Sequence, residues 1–187
     1  MNKMFAIVGM CGAGKSIASE YLENKGWSKI YFGGVTMKKL QEEGLAITPE
    51  NEKMMRNRLR QELGMAAYAK ILIPEIKEAI KHNNVVLDGV YSWDEVKELS
   101  NAFGDNITII SIVVDKHLRY ERLKIREVRP LTEEEANDRD ISEIENLAKG
   151  VPIGYADYYI FNNGTIEEYY ERLEEIIRKK DNNEKND

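Results

Sequence analysis

The stretch Gly9-Met10-Cys11-Gly12-Ala13-Gly14-Lys15-Ser16 decides how this chain folds. It matches the spacing G-x-x-x-x-G-K-[ST] without a gap. Its glycines let the backbone curl so that successive N–H groups point inward, where they can hold phosphate oxygens. A helix starting near Lys15 adds the positive end of its dipole. Gly9, Cys11, Gly12, Ala13 and Gly14, with Lys15, Ser16 and Ile17, therefore form the expected phosphate cradle. In it Lys15 reaches the β- and γ-phosphates of ATP and the Ser16 hydroxyl ligates Mg²⁺. A glycine-rich turn can produce such a string by chance, but the setting argues for the cradle. The apolar run 5–8 comes immediately before it, and Ile17, Ala18, Tyr21 and Leu22 follow at helical spacing. Cys11 reads as a spacer rather than a reactive thiol, although a helix N-terminus can lower a thiol's pKa.

Outward from this loop, short apolar runs alternate with amphipathic stretches, the pattern of a parallel sheet covered by helices. The runs 4–8, 29–32, 85–87, 107–114 and 158–161 read as strands buried on both faces. They imply an α/β fold of three layers, α/β/α, around a central five-stranded parallel sheet. Helix starts are marked by Ser92 with Glu95, Thr132 with Glu135 and Thr165 with Glu168, each at capping-box spacing. Thr48-Pro49 announces another helix, running through Arg60. A further helix is expected from Ala66 to Lys81, with Pro74 inside it. No repeat or linker interrupts the chain, so 1–180 reads as one domain and the polar residues 181–187 as a frayed tail.

Bulk properties narrow the class. The chain has 187 residues and a net charge of −6. That charge argues against a general nucleic-acid binder, whose affinity comes largely from Lys and Arg on phosphates. One cysteine and two isolated histidines leave no intrachain disulfide and no Cys/His metal site. The N-terminal apolar run is too short for a signal peptide or a membrane span, so a cytoplasmic protein is expected.

Two further features carry chemistry. Val85-Val86-Leu87-Asp88-Gly89 places an acid where a buried strand emerges, and in parallel sheets the ligand crevice lies at the carboxyl ends of the strands. Asp88 would face the Mg²⁺ or its water shell; the alternative is a turn-forming Asp-Gly pair. Arg119, Arg122, Arg126 and Arg129 follow at i+3 and i+4 steps and are expected to share one helix face, with Arg139 beyond. Guanidiniums suit a transferring phosphoryl group, whose equatorial oxygens carry the charge. The bland reading is a solvated face with Glu121 and Glu127 as partners.

With these motifs in hand, the chain resembles the nucleoside-monophosphate-kinase group of P-loop enzymes. The P-loop, Leu87-Asp88-Gly89, Glu121-Arg122-Leu123 with Arg126, and Ala156-Asp157-Tyr158 with Asn162-Asn163-Gly164 stand in that group's order. The resemblance is greatest to dephospho-CoA kinases and to an archaeal family of adenylate-kinase-like proteins. Residues 60–69 and 86–92 look especially like the latter. The resemblance implies that Arg122 flanks the adenine, Arg126 touches the ATP phosphates, and Arg129 and Arg139 enter from a small helical lid over 127–150. It implies that the loop Asn162, Asn163 and Gly164 meets the adenine edge through backbone groups, and that Asp88 organises Mg²⁺ water or acts as base. It also places acceptor-binding helices in 36–82.

The acceptor side departs from that pattern. Many relatives carry an Asp and an Arg after the second strand, where this chain has Phe32-Gly33-Gly34-Val35-Thr36-Met37-Lys38. Arg56 and Arg60, four apart on one helix face, become the acceptor-binding candidates, with Thr36 in a lesser role. Tyr91 is a candidate aromatic wall for a ring. The favoured reading is an ATP- and Mg²⁺-dependent phosphotransferase acting on a small nucleotide-like acceptor, foremost a nucleoside or deoxynucleoside monophosphate. Transfer to a hydroxyl, as in dephospho-CoA kinases, is one alternative. A nucleotide-binding switch without transfer is another, although no Asn-Lys-x-Asp guanine-reading tetrapeptide occurs. Base preference and oligomeric state, monomer or homodimer, are not legible in the sequence.

Overall fold

The computed structural model describes residues 2–183. Five strands form one sheet in the order β2-β3-β1-β4-β5, and every pairing is parallel. They are β1 (Met4–Val8), β2 (Ser28–Tyr31), β3 (Val85–Asp88), β4 (Ile107–Val113) and β5 (Tyr158–Phe161), all within a residue of their expected bounds. Nine α-helices occur among the described residues: α1 (Lys15–Asn24), α2 (Gly34–Glu42), α3 (Pro49–Leu63), α4 (Ala67–His82), α5 (Trp93–Phe103), α6 (Lys116–Ile125), α7 (Glu133–Leu147), α8 (Gly150–Gly154) and α9 (Ile166–Asn183). None is long and apolar enough to cross a membrane. The last helix runs three residues into the stretch expected to fray; residues 184–187 lie outside the described residues.

The central strand β1 shows why the sheet must be covered on both sides. All five of its residues are buried, and they alternate between two cores. Met4, Ala6 and Val8 pack with Val85 and Leu87 against Leu40, Met55, Leu72 and Leu99. Phe5 and Ile7 pack with Val86, Ile110 and Ile160 against Leu22, Leu173 and Ile176 of α1 and α9. This is the period-two pattern of a strand with no solvent face. A small third cluster joins Cys11 to Tyr120, Leu123 and Ala136, fastening the phosphate loop to α6 and α7.

The capping signals act as the sequence predicts. Ser92 and Thr132 each close a complete capping box, and Thr165 and Glu168 exchange the same pair of hydrogen bonds. Thr48 caps α3 with Pro49 at its first turn.

The arginine stripe does not form as expected. Helix α6 ends at Ile125, so only Arg119 and Arg122 lie on it. Arg126 is extended (φ −66°, ψ 144°) and Arg129 is left-handed (φ 54°). Pro130 bars a helix from running on through this segment, because its ring disfavours right-handed helical backbone at Arg129 and it has no N–H to continue a ladder. The four guanidiniums therefore diverge instead of lining one face.

Candidate functional site

The register of the sheet builds the site. Ile7 of β1 pairs with Asp88 of β3, so the carboxylate ends its strand beside the strand that feeds the phosphate loop. Beyond Val8 the chain turns through Gly9, Gly12 and Gly14, all at positive φ. A Cβ on Gly9 would meet the Ile112 carbonyl oxygen at 2.5 Å, and one on Gly14 would meet Asn162 Nδ2 at 2.7 Å. Only glycine lets the loop pass this close to β4 and to the turn after β5.

Side chains from the loop itself and from distant parts of the chain bond the carbonyl groups of this loop. Lys15 Nζ donates to Met10 at 2.9 Å, Arg119 to Cys11 at 3.0 Å, Asn162 Nδ2 to Ala13 at 2.9 Å and the Tyr169 hydroxyl to Gly14 at 3.0 Å. With its carbonyls engaged in this way and only the Ala13 N–H turned back, to the Met10 carbonyl at 3.2 Å, among the loop bonds described, the loop can offer its other N–H groups to an anion. Arg119 is also held bidentate by Asp140 of α7, at 3.0 and 2.6 Å. Its buried guanidinium therefore ties α6, α7 and the loop together, a structural role.

A cavity of about 630 Å³ opens over the loop. Cys11, Gly12, Gly14, Lys15, Ser16 and Ile17 line it, together with Asp88, Tyr91, Arg122, Arg126, Arg139, Asn162 and Gly164. Of the residues expected at the nucleotide, Gly9 and Ala13 instead shape the loop from behind, where Ala13 is fully buried. Asn163 turns aside, its side-chain oxygen accepting from the Asp115 amide at 3.1 Å. Arg122 donates to the Asn162 carbonyl at 2.9 Å, and its other terminal nitrogen is buried with no partner among the described residues.

A second cavity, of about 440 Å³, adjoins the first. Thr36, Arg56, Arg60, Arg129 and Arg139 line it, with Tyr68, Glu52, Glu95 and Glu143. Tyr31, Tyr91 and Arg139 line both cavities. Arg129 thus lines the second cavity and not the first, and it is paired with Glu52 of α3 at 2.7 Å. Glu52 also takes Arg56 at 3.4 Å. Arg60 lies over the Tyr68 ring at 5.8 Å, and its buried Nε has no partner among the described residues. Thr36 is committed inward, its hydroxyl 2.6 Å from that of Tyr68.

Electrostatics mark the same walls. Hydrogen bonding from Arg129 holds the Glu52 carboxyl below the usual range. Burial pushes the Glu95 carboxyl up. Burial also lowers Lys15 to about 7, with the nearby Lys149 ammonium as the next cause. Lys15 is therefore largely neutral at pH 8, whereas a phosphate against it would restore the charged form. Binding a nucleoside polyphosphate at pH 8 is expected to take up close to one proton, and uptake should vanish as the pH falls well below 7. Calorimetry in two buffers of different ionisation enthalpy measures this; identical heats at pH 8 would contradict it.

For a divalent cation, the cavity offers the Ser16 hydroxyl and the buried Asp88 carboxylate, which accepts from Ser19 Oγ at 2.9 Å. No cluster of three or more His, Cys, Asp or Glu able to hold a metal occurs among the described residues. One hydroxyl and one carboxylate fit Mg²⁺, which keeps several waters and takes phosphate oxygens as ligands.

Sequence reasoning missed Lys149, Glu143, Tyr169 and the Arg119–Asp140 pair. Lys149 and Glu143 sit at the end of a charged, exposed-looking helix, and Tyr169 lies within an amphipathic stretch. Nothing local singles them out.

Comparison with known proteins agrees with this architecture. A family model described as an AAA domain matches residues 6–144. A UPF0200 protein of Thermococcus onnurineus is 37% identical over 177 residues, covering 92% of this chain and 95% of that protein. One from Sulfurisphaera tokodaii is 36% identical over 182 residues, covering 95% and 97%. Among solved structures, TT1252 from Thermus thermophilus superposes with a TM-score of 0.67 at 16% identity, covering 95% of this chain and 97% of that one. Shikimate kinase from Bacteroides thetaiotaomicron does so at 0.61 and 17%, covering 94% and 98%. At such identities these structures speak to the fold alone, which this chain shares with that shikimate kinase. With its P-loop, its five parallel strands in the order 2-3-1-4-5 and relatives matched over nearly their whole length, the chain belongs to the UPF0200 family.

Proposed function

We propose that this protein transfers the γ-phosphoryl group of ATP to a small anionic, nucleotide-like acceptor held in the second cavity. The observation that carries this reading is the shared wall: Tyr31, Tyr91 and Arg139 line both cavities. A donor bound on the P-loop and an acceptor beside it would meet at that wall, and phosphoryl transfer needs little beyond such positioning and charge stabilisation.

The roles follow from placement. The loop amides and Lys15 hold the donor phosphates, and Ser16 and Asp88 hold the cation that neutralises them. Arg126 and Arg139, which both line the first cavity, stabilise the charge that spreads over the equatorial oxygens. Arg60, whose Nε lacks a partner among the described residues, takes the acceptor's anionic group, supported by Arg56. A nucleoside or deoxynucleoside monophosphate suits this set. The absence of an Asp and an Arg after β2 is thereby offset by arginines on α3.

A hydroxyl acceptor is the second reading, and Asp88 favours it. A carboxylate 7% exposed at the end of β3 is placed to take a hydroxyl proton. Both readings meet in one assay: ADP release from ATP·Mg²⁺ against nucleoside and deoxynucleoside monophosphates and dephospho-CoA. A strong stimulation by one monophosphate is expected, and Arg60→Ala should raise that acceptor's KM by about tenfold while leaving the KM for ATP within about twofold. Stimulation by dephospho-CoA alone would select the hydroxyl reading. No stimulation with tight ATP binding would leave a nucleotide-gated binding protein.

A further inference from the structure

The first cavity holds a second lysine, a buried one, that the loop motif does not announce. Lys149 follows Ala148, whose left-handed backbone (φ 49°) ends α7 and turns the chain into α8. Only 2% of Lys149 is exposed, although lysine is almost never fully buried unless paired. Its ammonium lies 4.7 Å from the centre of the Tyr91 ring and forms an ion pair with Glu143. The same carboxylate accepts from Arg139 at 3.0 Å. Two cations thus share one anion. Among these three groups one positive charge is in excess, and the Lys149 ammonium is the buried one.

The position of that excess is informative. Lys149 lines the P-loop cavity, Glu143 lines its neighbour, and Tyr91 and Arg139 line both. The Lys149 ammonium therefore stands at the partition between donor and acceptor. Arg122 and Asn162, by contrast, reach only the first cavity. A buried ion pair kept for stability alone would be balanced, since a stranded charge in low dielectric is costly. Here the balance is incomplete until an anion arrives at the partition.

We propose that Lys149 is a second phosphate-binding lysine of this site, contacting the terminal phosphoryl group of the bound nucleoside triphosphate. The inference rests on the reading above only in placing a nucleoside triphosphate on the P-loop. Lys15 and the loop amides hold the phosphates from the side of the loop, and Lys149 meets the last of them from α7–α8. Glu143 and Tyr91 are its positioning residues: the carboxylate fixes the ammonium while the ring shields it from water. Although burial pushes the Glu143 carboxyl up, Lys149 and Arg139 together hold it below its ordinary range. It therefore remains an anion at neutral pH and keeps the lysine oriented.

Equilibrium binding of a non-hydrolysable ATP analogue and of ADP, each with Mg²⁺, tests this on Lys149→Met, Lys149→Arg and the double variant Glu143→Gln/Lys149→Met. Lys149→Met should weaken the triphosphate by about tenfold and ADP by less than about twofold. Lys149→Arg should keep most of the preference for the triphosphate. The double variant removes the stranded carboxylate, which secures folding, and should remain as defective for the triphosphate as the single one. Equal weakening of both nucleotides, or recovery of triphosphate binding in the double variant, would show that Lys149 serves only to neutralise Glu143 and would overturn the proposal. The assay needs no acceptor, so a protein that shows this triphosphate-selective loss yet transfers to nothing would sink the phosphotransferase reading alone.

Discussion

Lys15→Ala is expected to lower phosphoryl transfer by about a thousandfold while leaving the protein folded. Among the described residues its ammonium makes one hydrogen bond, to the Met10 carbonyl, and it sits where burial and Lys149 both disfavour its charge. Removing it therefore relieves an unfavourable charge in the ligand-free protein and withdraws a cation from the donor phosphates. The linkage sign agrees. A lysine whose pKa falls from 10.5 to about 7 on folding costs stability below pH 7, and that cost fades as the pH rises towards 10.5. The variant should then melt no lower than the parent at pH 7, and its ADP formation should be close to background. Transfer within tenfold of the parent would mean that the loop is not the donor site.

Asp88→Asn is the second large effect, with kcat expected to fall by about a hundredfold or more and the affinity for ATP to change little. The asparagine oxygen can still accept from Ser19, which bonds Asp88 at 2.9 Å, so the local structure should persist. What is lost is a negative charge in the cavity that Ser16 also lines, the charge proposed to organise the cation's water shell or receive a proton. Steady-state kinetics with Mg²⁺ varied would show it. Unchanged kcat would assign Asp88 to the Asp-Gly turn alone.

The parts of this site that could be read from the sequence are those set by local rules. The P-loop is contiguous, so its glycines and Lys15 declare themselves, and the capping boxes are complete within four residues. The strands stand out because burial on both faces leaves uninterrupted apolar runs such as 4–8. Asp88 was legible because parallel strands deliver their last residues to one edge. What remained hidden depends on the chain folding back on itself. Arg119 looks like a phosphate ligand in a basic stretch, yet Asp140, twenty-one residues on, claims it. Arg126 and Arg129 fit helical spacing only if Pro130 is ignored, and the loop it imposes sends Arg129 to Glu52, seventy-seven residues away. Lys149 becomes notable only once α7 and α8 have buried it against Tyr91. The second cavity is likewise assembled from α2, α3, α4 and α7, with no motif of its own.

The central claim, that the two adjoining cavities serve as donor and acceptor sites for direct transfer, is tested most directly by following the label of γ-phosphoryl-labelled ATP. The protein is incubated with labelled ATP, Mg²⁺ and the acceptor that stimulates ADP release, and the products are separated. The account predicts that the label appears in the acceptor in step with ADP and disappears from it in Lys15→Ala. Label recovered as inorganic phosphate alone, with none in any acceptor, would contradict it.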